Sequence, residues 1–161
     1  MSDVSHLMKG HWDIEEGRVD SIVFFRLVPK HFPEATTFFA EGTAIEKDVQ
    51  AVYDQHKQEG EYLPGAQTIW PRSRKYLCAF SPQLFSTLAA LAERHAEAEL
   101  LSHLAIYAGQ EPLLLWHDAF ANAIVLSLSL PEERIRAFAD ALKLPYAKNE
   151  DGKPGFRATL S

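Results

Sequence analysis

The pattern of apolar and polar residues is clearest over residues 103–142, where it predicts three β-strands followed by a helix. In the third strand, within residues 123–130, isoleucine or leucine occupies every even position and alanine, valine or serine every odd position. A period of two is typical of a strand that buries one face. Residues 109–112 and 119–121 are short enough to be hairpin connections, so we expect the three strands to form an antiparallel meander.

An amphipathic helix is predicted directly after this meander. Its apolar residues recur at spacings of three and four, which puts them on one side of a helix. They are Ile135, Phe138, Ala139 and Leu142. We therefore expect this helix to cover the apolar face of the meander.

Earlier parts of the chain contain four shorter segments that favour strands. Val19–Val28 is rich in β-branched and aromatic residues on both of its faces, which predicts an interior strand covered on both sides. The other three segments are Ala35–Ala40, Ala66–Trp70 and Tyr76–Phe80. Pro29 and Pro71 are expected to end the strands that precede them, because proline cannot donate a ladder hydrogen bond.

Two further helices are predicted from their starting residues. The sequence Thr-Ala-Ile-Glu at residues 43–46 matches a capping box, so a helix is expected over Ala44–Gln58. Ser81 followed by Pro82 is a second helix start, because serine is a good N-cap and proline fits the first helical turn. We expect this second helix to continue to about Leu101.

Together these elements predict an α+β fold, with a predominantly antiparallel sheet of five to seven strands and about three helices packed mainly on one face. A chain of 161 residues fits one domain. We assign residues 1–146 to that single α+β domain, with residues 1–11 flexible. Residues 147–161 lose hydrophobic periodicity and are expected to form a loose C-terminal tail.

Composition narrows the range of functions. The formal net charge of −6 argues against nucleic acid as the main partner, because affinity for phosphates is built from clustered lysine and arginine. The single cysteine, Cys78, allows no internal disulfide and no cysteine-based zinc site, which favours the reducing cytoplasm. The first residues lack the apolar core of a signal peptide, and no apolar run approaches the roughly 20 residues that span a membrane. We therefore expect a soluble cytoplasmic protein with no membrane partner.

His117 and Asp118 form the first candidate for chemistry. An imidazole that titrates near neutral pH, next to a carboxylate, is suited to proton transfer or ligand binding. Adjacent residues of a regular strand face opposite ways, so Asp118 can orient His117 only if the turn has already begun. A solvated hairpin end is the alternative interpretation. His31, in the segment Pro-Lys-His-Phe-Pro, is a further candidate for proton transfer.

A second histidine pattern consists of His95, Glu99 and His103 at spacings of four. On a continuous helix these side chains would form one stripe of potential metal ligands. We expect His103 to open a strand, which breaks the stripe, and the spacing of zinc proteases is missing. We therefore predict neither a metal nor a cofactor.

Arg72, Arg74 and Lys75 lie between two predicted strands and form a candidate anion-binding group. A guanidinium offers a planar fork of donors that suits phosphate or carboxylate. If the two strands form a hairpin, these charges lie at its tip, where solvation alone is the common outcome.

Motifs of the common nucleotide-binding and acyl-transfer enzymes are missing from the sequence. Apolar residues on both faces of the predicted strands favour contact with a protein partner or with a second copy of the chain. We therefore expect a non-catalytic, cytoplasmic protein-binding or regulatory module. The alternative is an enzyme or sensor that holds a small anionic ligand with Arg72 and Arg74 and uses His117 or His31 for proton transfer, so the sequence leaves catalysis open.

Overall fold

The computed structural model describes residues 10–59 and 73–150. Seven strands in these residues form one antiparallel sheet in the order β3-β2-β4-β5-β6-β1-β7. The strands are β1 His11–Ile14, β2 Thr37–Gly42, β3 Arg74–Ala79, β4 His103–Ala108, β5 Glu111–Trp116, β6 Ile124–Ser127 and β7 Tyr146–Asn149. The five helices of the same residues are α1 Ser21–His31, α2 Lys47–Gln55, α3 Pro82–Ala92, α4 Glu97–Leu100 and α5 Glu132–Leu142. The predicted α+β fold is confirmed, with two helices more than expected.

The main hydrophobic core lies between the sheet and the helices. Phe24 of α1, Phe85 of α3 and Phe138 of α5 are fully buried in it, together with strand residues such as Trp116. We call this side of the sheet the helix face. A smaller cluster on the other side, the second face, consists of strand residues alone: Phe39, Leu77, Ala105, Tyr107 and Leu115.

The predicted meander and its covering helix are confirmed. Strands β4, β5 and β6 pair antiparallel in sequence order, with Leu114 opposite Leu126. Helix α5 buries the four apolar residues predicted for its inner side. The apolar alternation extends past the strand, however, because Leu128 lies beyond the end of β6 and is 39% exposed.

The strand predicted over Val19–Val28 is wrong, since this segment forms most of helix α1. Asp20 caps the helix by accepting a hydrogen bond from the backbone N–H of Val23 at 3.1 Å. Phe24 and Val28, one helical turn apart, are both fully buried against the helix face. Tertiary packing therefore overrides the β propensity of the segment, and Pro29, expected to lie beyond the element, is inside the helix.

Two predicted helix boundaries are also wrong. Helix α2 begins at Lys47, and its N-cap Glu46 makes no side-chain capping bond, so the capping box at residues 43–46 does not form. The backbone N–H of Glu46 instead donates to the carbonyl of Glu99 at 3.0 Å. Helix α3 starts as predicted, with Ser81 Oγ accepting from the N–H of Leu84, but it ends at Ala92, and α4 is a separate helix.

Strands β1 and β7 were not predicted. β1 lies between β6 and β7, and β7 occupies the first part of the segment expected to be a loose tail. Both are only four residues long, so even the polar–apolar alternation of His11–Ile14 in β1 is too short to identify a strand. The predicted strand Ala66–Trp70 lies outside the described residues. None of the helices in the described part is long and apolar enough to cross a membrane.

Candidate functional site

Four ionisable side chains lie side by side on the second face near one end of the sheet. The strand register places Glu41 of β2 opposite both Lys75 of β3 and His103 of β4. His103 in turn stacks on His117, which directly follows β5, with ring centroids 4.1 Å apart and planes within 5° of parallel. We call these four residues the polar row.

Asp118 joins the histidine end of this row. Its carboxylate lies 3.8 Å from Nδ1 of His103 and 3.6 Å from Nε2 of His117. One potential ligand atom from each of the three residues lies within 4.8 Å of the other two. We call His103, His117 and Asp118 the strand-end cluster, which contains the catalytic pair predicted from the sequence and one residue more.

The backbone of Asp118 explains why this residue can lie beside its neighbour. Its φ angle of 51° is in the left-handed region, so the strand has ended and the turn has begun. The side chains of Asp118 and His117 are therefore not forced to opposite faces. Asn122 stabilises the turn, because its side-chain amide donates to the backbone carbonyl of His117 and its backbone carbonyl accepts from the indole N–H of Trp116 at 2.8 Å.

His103 is held as a hydrogen-bond acceptor. The backbone N–H of Asp118 donates to its Nδ1 at 3.0 Å, so the ring proton of the neutral form is on Nε2. Burial lowers the pKa of His103, and the adjacent imidazole of His117 lowers it further, against the opposite effects of Asp118 and Glu41. His103 is therefore neutral at physiological pH.

His117 offers the one ring nitrogen of the cluster that is buried and unused. Its Nε2 atom has no hydrogen-bond partner among the described residues. The nearest carboxylate oxygen, on Asp118, is 3.6 Å away, which is too far for a hydrogen bond. A buried polar atom without a partner is unfavourable by about 1–3 kcal/mol, so the atom is poised to accept a ligand.

In the other half of the polar row, Glu41 is buried beside the positive charge of Lys75. It is 1% exposed, accepts a hydrogen bond from Ser73 Oγ at 2.7 Å and lies 4.0 Å from the ammonium of Lys75. Arg74 lies next to Lys75 on β3, but its side chain hydrogen-bonds to Tyr76 and thus belongs to the helix face. Arg72 lies outside the described residues. The structure therefore places Arg74 and Lys75 on opposite sides of the sheet.

His31, the other predicted proton-transfer residue, lies far from this cluster in the architecture. It is in the last turn of α1, where its ring lies 5.3 Å from that of Phe138 on the helix face. Burial lowers its pKa, as do the charges of Lys30 and Arg134. His31 and His117 are thus on opposite sides of the sheet and cannot act on one small substrate.

The predicted stripe of His95, Glu99 and His103 does not form, because its residues lie in two separate parts of the structure. His95 lies between two carboxylates, with Nε2 2.9 Å from Asp48 and Nδ1 3.2 Å from Glu99. These two hydrogen bonds raise the pKa of His95, and the hydrogen bond to Asp48 has the larger effect. His103 belongs to the strand-end cluster instead, because β4 begins there.

A buried polar pair on β1 was missed. His11 is 0% exposed and Asp13 4% exposed, and both side chains are on the second face. The sequence analysis placed His11 in the flexible segment 1–11 and predicted no strand at residues 12–14. An available signal was their spacing of two on either side of Trp12, which is typical of a strand.

Comparisons of the chain with known protein families, with curated proteins and with solved structures find no match.

Proposed function

We propose that the protein is a non-catalytic regulatory module of the cytoplasm that binds a small ligand at the strand-end cluster and a partner protein elsewhere on its surface. The single observation that carries the proposal is the unused Nε2 of His117, buried beside a second imidazole and a carboxylate. Three side chains that can each offer a lone pair to a ligand lie close together there, at the start of β4 and in the turn that follows β5.

The absence of catalytic motifs in the sequence supports a non-catalytic role. Cys78, the one thiol of the chain, is buried, and burial raises its pKa to about 12, so it is not a nucleophile at neutral pH. The net charge of −6 supports a protein or a small cation as partner, and disfavours nucleic acid.

The rival proposal, an enzyme or sensor for a small anion, has less support. It requires free positive charge beside a proton-transfer group. The ammonium of Lys75 faces the buried carboxylate of Glu41, and Arg74 belongs to the opposite side of the sheet. Phosphate, carboxylates and nucleotides nevertheless belong in any ligand screen, because Arg72 adds a further guanidinium to the same part of the sequence.

A thermal-shift screen tests the ligand site directly. Wild-type protein and His117→Gln are each heated with divalent metal chlorides, inorganic phosphate, citrate and nucleotides. A ligand at 100 times its dissociation constant stabilises the folded state by about 2.7 kcal/mol, which is a shift of a few degrees. We expect a compound that raises the wild-type midpoint but not that of His117→Gln and that is recovered chemically unchanged.

Three results would overturn the proposal: no compound class shifts the midpoint, the shift persists in His117→Gln, or the bound compound is turned over. Association with a partner is tested separately by affinity capture at several salt concentrations, with His117→Gln as the matched bait. Recovery of the protein alone in every condition contradicts the partner-binding part.

A further inference from the structure

We infer that the strand-end cluster is a binding site for a divalent transition-metal ion such as Zn²⁺, with His103, His117 and Asp118 as its three protein ligands. This inference rests on the proposed function, because it names the ligand of the same cluster. Two imidazoles and one carboxylate are a ligand set that borderline metals favour, whereas Mg²⁺ and Ca²⁺ prefer oxygen ligands alone.

Placement of the three ligands favours a real site over a chance grouping. His103 is the first residue of β4, and His117 directly follows β5. Their neighbours Leu104 and Trp116 are paired across the two strands. The third is fixed by a left-handed turn residue whose backbone N–H also binds His103. Aspartate is among the non-glycine residues that adopt this conformation most readily, so the turn fixes the position of Asp118 at little cost.

Burial and charge at the cluster also suit a cation. The side chains of His103 and His117 are 16% and 31% exposed, so an ion would be partly shielded while one side stays open to water. Asp118 supplies one negative charge directly. Glu41, opposite His103 on the neighbouring strand, is a further carboxylate near the imidazole, although the ammonium of Lys75 lies 4.0 Å from it.

The site is not closed around an ion in its present geometry. The two imidazole planes are parallel, so their lone pairs do not converge, and the candidate ligand atoms are up to 4.8 Å apart. Two atoms that both lie at about 2.1 Å from one zinc ion are at most about 4.2 Å apart. Binding therefore requires rotation of at least one ring and the loss of the hydrogen bond from the Asp118 N–H to His103.

That rearrangement is small beside the gain from coordination. Loss of one neutral hydrogen bond weakens binding by about tenfold at most, whereas metal coordination at a protein site contributes many factors of ten. Coordination would also supply the partner that His117 Nε2 lacks. The remaining coordination positions are open to water or to an external ligand, as in sites with three protein ligands.

Direct titration with Zn²⁺ and with Co²⁺ tests the inference on tag-free, full-length protein. Calorimetry gives the stoichiometry, and the visible absorption of Co²⁺ reports imidazole coordination. We expect one ion per chain, with affinity reduced at least about tenfold in His117→Gln and in Asp118→Asn, as for loss of a ligand. His95→Gln is the matched control, because His95 also lies beside two carboxylates but outside the cluster.

Binding of one ion that both cluster variants weaken and the control retains supports the inference. No binding by folded wild-type protein overturns it, as does equal binding by His117→Gln and Asp118→Asn, or loss of binding in His95→Gln. Circular dichroism and the unfolding midpoint confirm that each variant is folded. If metals fail but another compound depends on His117 in the thermal-shift screen, the metal inference fails and the proposed function stands.

Discussion

His11 and Asp13 form a buried pair on the second face of β1, with Nε2 of the imidazole 3.2 Å from Oδ1 of the carboxylate. Despite this approach, both ring nitrogens and that oxygen have no hydrogen-bond partner within the described part of the chain. Each such buried group is unfavourable by about 1–3 kcal/mol. The apolar side chains of Trp12 and Ile14 on the helix face, together with backbone pairing to β6 and β7, therefore hold this strand in the sheet.

Replacing both polar residues with apolar ones, in the double variant His11→Leu with Asp13→Val, is expected to raise the free energy of unfolding by about 1–4 kcal/mol. The physical reason is that three buried polar atoms of the pair lack a hydrogen-bond partner among the described residues, and replacing both members of such a pair with apolar residues is often stabilising. Asp13→Val alone is expected to destabilise, because it leaves the imidazole buried without a nearby carboxylate. Urea unfolding measures all three proteins, and a double variant less stable than wild type would contradict the argument.

Phe24→Ala is expected to lower the free energy of unfolding by about 3–5 kcal/mol, the usual loss for a large aromatic in a packed core. The Phe24 ring is 4.8 Å from that of Trp116 and 6.2 Å from that of Phe138, so its removal opens a cavity between α1, α5 and the sheet. Guanidinium unfolding monitored by tryptophan fluorescence measures the loss.

Val23→Ala is the matched control on the same helix. Val23 is 41% exposed, so this change is expected to alter stability by no more than about 0.5 kcal/mol. An interior strand covered on both faces would bury Val23 as well as Phe24. A large loss in Val23→Ala would therefore favour the strand that the sequence predicts over the helix that the structure contains.

Local sequence signals predicted the second half of the fold well, for a physical reason. In β4, β5, β6 and α5 the apolar period matches the element, and each element packs against its neighbour in sequence. Helix α1 was predicted as a strand because its aromatic and β-branched residues favour strands locally, while the core that buries Phe24 and Phe25 contains residues 60 to 114 positions later, such as Phe85 and Phe138. Strands β1 and β7 were not predicted, because four residues are too few for a periodic pattern to be recognised.

The candidate site was half predictable. His117 and Asp118 stood out as adjacent ionisable residues at a strand end. The hairpin turn alone would put His103 opposite Trp116, and the register shift between Ile106 and Tyr107 brings His103 beside His117 instead. Cross-strand stacking of the two histidines follows from that register. The position of Glu41 could not be predicted, because it depends on the pairing of β2 with β4 across a long connection.

Cys78 is expected to resist thiol reagents in the folded protein. Its side chain is buried, and burial raises its pKa to about 12, so almost none of it is thiolate at neutral pH. Because it is the only cysteine in the chain, the release of thionitrobenzoate from Ellman's reagent reports this residue alone. We expect labelling at the rate of unfolding in buffer and within the mixing time in strong denaturant. Rapid labelling of folded protein would show that β3 is open.

The imidazole of His95 connects α2 to α4, because Asp48 lies at the start of one helix and Glu99 in the other. Arg94 also contacts Asp48, at 3.3 Å. The two carboxylates raise the pKa of His95 above the model-compound value of 6.5. A raised pKa in the folded state means that the contribution to stability is complete below about pH 6.5 and is lost as the pH rises through the raised value.

His95→Gln is therefore expected to destabilise the protein more at about pH 6 than at about pH 9, where wild-type His95 is neutral. Urea unfolding at the two pH values measures the difference. Asp48→Asn is expected to lower the pKa of His95 more than Glu99→Gln does, because the hydrogen bond to Asp48 is the largest cause of the shift. Titration of the histidine ring protons by NMR gives this order. Equal destabilisation by His95→Gln at both pH values, or the reverse order of the two carboxylate variants, would contradict a charged bridge between the helices.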